Sequence, residues 1–147
     1  MQRPLLVIED RDEDFEVLKE SLRGSGVSNV LIRCATGKEV AAYLTAVASV
    51  DPAEYPAIVL LDLNIPGGDG RNILKELRSH PQLRTAPVVM LTTSSEPADI
   101  EACYSSGASG YMVKPLDLGL FESMVHKMAA YWLECVELSQ AVPRAYA

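Results

Sequence analysis

Five short runs of apolar residues divide this chain: Leu5 to Ile8, Val30 to Cys34, Ala57 to Leu61, Pro87 to Leu91 and Gly110 to Val113. None alternates polar with apolar. A strand that alternates buries one face, whereas a strand apolar along its length is covered on both. Between the runs, apolar residues recur at helical spacing. Phe15, Leu18 and Leu22 form one such face; Val40, Tyr43, Leu44 and Val47 a second; Ile73, Leu74 and Leu77 a third; Ile100 and Tyr104 a fourth. A last helix is expected from about Leu118 to Glu137. Strand and helix thus alternate five times, which predicts an α/β fold: a five-stranded, doubly wound parallel sheet with helices on both faces. A length of 147 residues suits one core. We expect one domain over 1–147, with its core from about 4 to 138 and a loose tail over 139–147.

The joints carry their own signals. Thr36 and Asp69 stand where they can cap the second and third helices. Ser49 to Pro56, with two prolines, is a longer loop than compact α/β units usually carry.

The composition is that of an ordinary globular protein, and the net charge is −7. Such a charge argues against direct binding of nucleic acid, whose phosphates need basic patches. It is compatible with a cationic protein partner, or with a site that gathers carboxylates around a metal. Cys34, Cys103 and Cys135 are odd in number and have no zinc-type or CxxC spacing, so free thiols are expected. Glu9 and Asp10 interrupt the first apolar run too early for a signal peptide. No stretch approaches the roughly 20 apolar residues of a membrane helix. A cytoplasmic protein with no membrane contact is expected.

Four of the five expected strands end on a polar group: Glu9 and Asp10, Asp62, Thr92, and Lys114. In open α/β sheets, ligands bind beyond the carboxyl ends of the strands, where the winding reverses. If the first and third strands are neighbours there, Asp10 and Asp62 converge with Glu9 beside them. Clustered acids repel unless a cation sits among them. Their hard oxygens suit Mg²⁺ better than zinc. Lys114 would bring a mobile positive charge to the same mouth, and Thr92 a hydroxyl. Acids, metal, lysine and hydroxyl together suit phosphoryl transfer, and a carboxylate can itself be the nucleophile. Asp62 is best placed for that role, with the turn "LNIPGGDG" holding it out. Singly, each residue has an ordinary explanation as a cap, a solvated charge or a turn former. The joint pattern at one sheet edge points to function.

The segments "VIED", "LLDLNIPGGDG", "VVMLTTS" and "GYMVKP" occur in that order, with 30 positions from Asp62 to Thr92 and 52 from Asp62 to Lys114. Together they resemble the receiver domain of two-component response regulators, over Leu5 to about Glu137. The resemblance implies a flavodoxin-like fold with strand order 2-1-3-4-5. It implies Asp62 as phosphoacceptor, with Mg²⁺ bound by Asp62, by Asp10 directly, by Glu9 through water and by the backbone carbonyl of Asn64. Lys114 would contact the phosphoryl group, Thr92 would turn inward to bond it, and Tyr111 would be the aromatic switch that follows Thr92. Pro115 matches a position often preceded by a cis peptide. Glu9 stands where aspartate is commoner, and Thr93 where alanine or glycine is.

The implied function is a single-domain response regulator in a phosphorelay, taking its phosphoryl group from a sensor histidine kinase. It would be an enzyme only in catalysing its own phosphorylation and dephosphorylation. The Ser49–Pro56 loop and the segment "HKMAAYWLECVEL" resemble the small regulators that partner bacterial phytochromes. That implies a light-sensing kinase. A phosphatase acting through an aspartate would carry a second acid two residues after its nucleophile, where this chain has Asn64. A nucleotide- or flavin-binding module would carry GxxxxGK[ST] or GxGxxG, and neither follows the first strand. A receiver-like scaffold that signals without phosphate would not need the full set of residues.

A last helix of about 20 residues is about 30 Å long, against about 17 Å for a five-residue strand, so it should overhang the sheet. Phe121, Val125, Met128 and Trp132 form one stripe along it, and Val136 extends the apolar character. The first half of the stripe is expected to pack on the sheet. The apolar overhang predicts a homodimer through this helix and the neighbouring strand, with Phe121, Val125, Met128, Trp132 and Val136 as its expected interface.

Overall fold

The computed structural model describes residues 2–139. Strands β1 (Leu5–Ile8), β2 (Leu31–Cys34), β3 (Ile58–Leu61), β4 (Val88–Thr92) and β5 (Gly110–Val113) form one parallel sheet in the order β2-β1-β3-β4-β5. Helices α1 (Asp12–Gly24), α2 (Gly37–Val47), α3 (Gly70–Ser79), α4 (Pro97–Ser105) and α5 (Leu118–Ala130) alternate with them. The doubly wound architecture and strand order are those expected from the sequence.

Every residue of β1, β3 and β4 is buried, whereas the edge strands β2 and β5 are only partly covered. Successive residues of β1 feed two separate cores. Leu5 and Val7 pack with Leu18 and Leu22 of α1 and with Phe121 and Val125 of α5. Leu6 and Ile8 pack on the other side, with Val40 of α2, Leu74 of α3 and Cys103 of α4. A central strand with two cores needs apolar residues at every position, which is why these runs do not alternate.

The expected caps are present. The Thr36 hydroxyl accepts the Glu39 N–H at 3.1 Å, and the Asp69 carboxylate accepts the Arg71 N–H at 2.8 Å. Gly70 then lets α3 start against the end of β3. A Cβ there would lie 2.5 Å from the Asp62 carbonyl oxygen and 2.6 Å from the Leu63 Cα. Both are backbone atoms, so only glycine fits without moving the strand end that carries Asp62.

Four expectations need correction. The last helix is α-helical only to Ala130 and continues as a π turn over Tyr131–Cys135, closed by the Val136 N–H on the Tyr131 carbonyl at 3.0 Å. Phe121, Val125 and Met128 are buried in this chain's own core, and Trp132 packs against it, so these four are not a free dimer face. Periodicity marks a buried stripe without saying which molecule buries it. Tyr104 is exposed and Cys103 is the buried residue of α4, because this short helix turns only a narrow strip to the sheet. The Lys114–Pro115 bond is trans, since none of the described peptide bonds is cis. The two isomers before proline differ by only about 0.5–1 kcal/mol in favour of trans, too little for local sequence to decide.

Cys34 and Cys103 are buried and Cys135 is exposed, all three as free thiols. Burial pushes the Cys34 thiol up to about 11, helped by the charge of Glu39, so it packs as a small apolar side chain. No helix among the described residues is long and apolar enough to cross a membrane. Beyond Ser139, the expected loose tail lies outside the described residues.

Candidate functional site

The strand order puts β1 beside β3, with β2 and β4 outside them, so the winding reverses at this pair. Ile8 is in register with Leu61, and the next residues, Glu9 and Asp62, therefore leave the sheet side by side. The ligand oxygens of Glu9, Asp10 and Asp62 all lie within 4.8 Å of one another. Glu9 is 4% exposed and Asp62 8%, while Asp10 is half-buried. Lys114, one residue past β5, reaches across to this group. Its Nζ donates to Asp62 Oδ2 at 3.1 Å, to Asp14 Oδ2 at 3.2 Å and, in a short contact, to Glu9 Oε1. Lys114 thus uses its three N–H groups on three carboxylates.

The charges are unequally matched. Burial pushes the Glu9 carboxyl up, and the charge of Asp62 adds to this, while Lys114 and the Arg11 N–H pull it back. Burial alone would lower Lys114, but its bond to Glu9 and the charge of Asp62 outweigh this and hold the ammonium charged. One cation serves several acids. The lysine is over-stabilised in its charged form, and the most buried acid stays under-compensated. Three close, hard oxygen donors with a deficit of positive charge fit a divalent ion of the Mg²⁺ type.

The remaining expected residues surround this centre. The Asn64 N–H donates to Asp62 Oδ1 at 3.2 Å, and the Asn64 side chain is exposed. Thr92 is fully buried, and its hydroxyl accepts the Ser94 N–H at 3.4 Å. Tyr111 is half-buried and donates its hydroxyl to the Ser94 carbonyl at 2.9 Å. The Ser94 hydroxyl in turn donates to Asp99 Oδ2 at 2.6 Å. Thr92 and Tyr111 are thus joined through Ser94, on the loop before α4. Two clefts flank the acids. One, of about 390 Å³, is lined by Asp10, Asn64, Asp69, Arg71 and Asp99 among others. The other, of about 350 Å³, lies on the α1 and α5 side and includes Thr93, Lys114, Leu116 and Phe121.

Sequence reasoning missed four participants. Asp14 stands four residues after Asp10, one helical turn on, and that spacing was the available signal for its contact with Lys114. Ser94 and Asp99 carried no signal beyond their position after the fourth strand. Arg33 donates through Nε to the Glu9 carbonyl at 3.1 Å and through Nη2 to the Asp10 carbonyl at 3.2 Å. A lone charge inside an apolar strand could have marked it.

Known proteins share both the sequence and the shape. Response regulator Rcp1 of Synechocystis sp. is 34% identical over 137 residues, 93% of each chain. The phosphorylated cyanobacterial phytochrome response regulator RcpA superposes with a TM-score of 0.85 at 31% identity, over 94% of this chain and 99% of that one. The Mn²⁺-bound form of response regulator Rcp1 superposes with a TM-score of 0.83 at 34% identity, over 93% of this chain and 99% of that one. A family model for the response regulator receiver domain matches residues 5–126. The chain belongs to the response regulator receiver domain family.

Proposed function

We propose that this protein is a phosphorylation-dependent switch that accepts a phosphoryl group on Asp62 from the phosphohistidine of a sensor kinase. The observation that carries this reading is the meeting of four strand ends, with Asp62 between two further acids and under the Lys114 ammonium. An Asp62 carboxylate oxygen forms the new P–O bond as the donor's P–N bond breaks, and the histidine nitrogen leaves with the bonding pair. Mg²⁺, when bound by Glu9, Asp10, Asp62 and the Asn64 carbonyl, would neutralise charge on the phosphoryl oxygens. Lys114 supplies fixed positive charge beside Asp62. The Asn64 N–H orients the carboxylate. The Thr92 hydroxyl makes only a long contact with Ser94, so little is lost when it turns to a phosphoryl oxygen. Because Ser94 also holds Tyr111, movement at Thr92 is passed to the surface of β5.

A phytochrome-type kinase is the donor favoured by the similarity to Rcp1 and RcpA. The net charge of −7 favours a protein contact as output rather than nucleic acid. Intact-protein mass after incubation with acetyl phosphate tests the central step. A gain of one phosphoryl group that requires Mg²⁺ is expected. No gain, together with no binding of beryllofluoride, would refute the reading.

Self-association is supported by exposed apolar residues on consecutive elements: Tyr104 of α4, Val113 of β5, fully exposed Leu116, and Leu118 and Leu120 of α5. Unlike the α5 stripe, these residues are left uncovered by the chain's own fold. Sedimentation at micromolar concentration is expected to show a dimer. Monomer alone, with and without beryllofluoride, would exclude it.

A further inference from the structure

Arg33 is charged, while the other members of β2, Leu31, Ile32 and Cys34, are apolar. Its guanidinium carbon sits 4.8 Å from the centroid of the Phe15 ring on α1. From there Nε and Nη2 hold the carbonyls of Glu9 and Asp10, and Nη1 pairs with Asp12 at 2.8 Å. One planar group therefore grips two consecutive peptide carbonyls of the turn that presents the acids. The other anchors of that turn are the Glu9 N–H on the Cys34 carbonyl and the Arg11 N–H on Glu9's own carboxylate. The residue that opens α1, Arg11, makes no side-chain cap bond. Asp12 is 85% exposed, so its ion pair with Arg33 adds little.

We propose that Arg33 is a positioning residue for the metal site, locking the backbone of Glu9 and Asp10 so that their carboxylates stay turned toward Asp62. The proposal rests on the reading of these three acids as metal ligands. Like charges in so small a space push one another apart, and Asp10, half-buried on a turn, is the acid with most room to leave. The guanidinium suits the task because its fork is rigid, whereas a lysine ammonium is a mobile point charge. Groups that orient metal ligands without touching the metal are typically worth ten- to a hundredfold in affinity. Arg33 also brings positive charge near the site, which by itself would weaken cation binding. The two effects have opposite signs, so they can be separated.

The test is Mn²⁺ binding to the metal-free protein, followed by electron paramagnetic resonance, for wild type, Arg33→Lys and Arg33→Met. Lys keeps the charge and loses the fork; Met loses both. Both variants are expected to bind Mn²⁺ about tenfold more weakly, with the metal-free proteins melting alike. Arg33→Lys alone decides the matter if Arg33→Met does not fold. Either folded variant binding as tightly as wild type overturns the proposal. Tighter binding by Arg33→Met does so too, since charge rather than position would then govern. Wild type that binds no Mn²⁺ would instead overturn the metal-site reading beneath it.

Discussion

Asp62→Asn is expected to take no phosphoryl group from acetyl phosphate at any Mg²⁺ concentration, and to resist urea better than the wild type. The first effect follows from chemistry: an amide has no carboxylate oxygen to form the acyl phosphate. The second follows from the charges. Asp62 gains one attraction, to Lys114 at 3.1 Å, but sits within 4.8 Å of two other acids and is 8% exposed. Three acids share one lysine, so removing one carboxylate charge reduces the like-charge repulsion within the cluster. Asparagine keeps an oxygen for the Asn64 N–H and relieves Glu9, whose carboxyl the charge of Asp62 helps to push up. A stabilisation of about 1 kcal/mol is expected, within the usual range for relief of an uncompensated buried charge. Intact mass and urea midpoints at low salt check both parts. A phosphorylated variant, or one less stable than wild type, would contradict this account.

Lys114→Met should have the opposite effect on stability. The lysine side chain is 9% exposed, and it is the cation shared by Glu9, Asp62 and Asp14. Removing one partner of a buried ion pair leaves the others unpaired and typically costs about 3–5 kcal/mol. The loss should depend on pH in a defined direction. Lys114 is raised above its ordinary value, so its stabilisation is complete below that value and is lost only as pH rises through the folded one. At neutral pH the wild type therefore has all of it. Glu9 is raised by burial, and Lys114 restrains that rise. Without the lysine, Glu9 climbs further. A carboxyl raised on folding favours the folded state at low pH and loses that contribution as pH rises through its folded value. The deficit of Lys114→Met should therefore be larger at about pH 8 than at about pH 5.5. Equal deficits at the two values would show that packing, not charge, is what Lys114 supplies. The variant should also lose phosphorylation, and added Mg²⁺ should recover part of its stability by mass action.

The chain's sequence was informative where one residue type has one physical use. A strand between two cores must be apolar throughout, so the three central strands could be read directly, and the acids at the ends of β1 and β3 stood out against that background. Thr36 and Asp69 act through bonds to neighbours two or three residues away, so their capping roles were legible too. Gly70 is different: its necessity comes from the close approach of Asp62 and Leu63 backbone, which no local pattern displays.

The stripe of α5 shows the boundary most clearly. Its spacing announced a buried face, and the fold decided that Phe121, Val125 and Met128 are buried by this chain itself. The same holds around the acids. Their residue types and intervals were set in the sequence, as was the reading of Lys114 as their partner. That Lys114 also binds Asp14, 100 positions away, and that Arg33 grips the turn from a neighbouring strand, depends on strand order and helix docking. Local sequence determines what each segment can become. Contacts between distant segments are settled only when the sheet closes and both of its faces are covered, because burial and charge pairing are properties of the packed molecule.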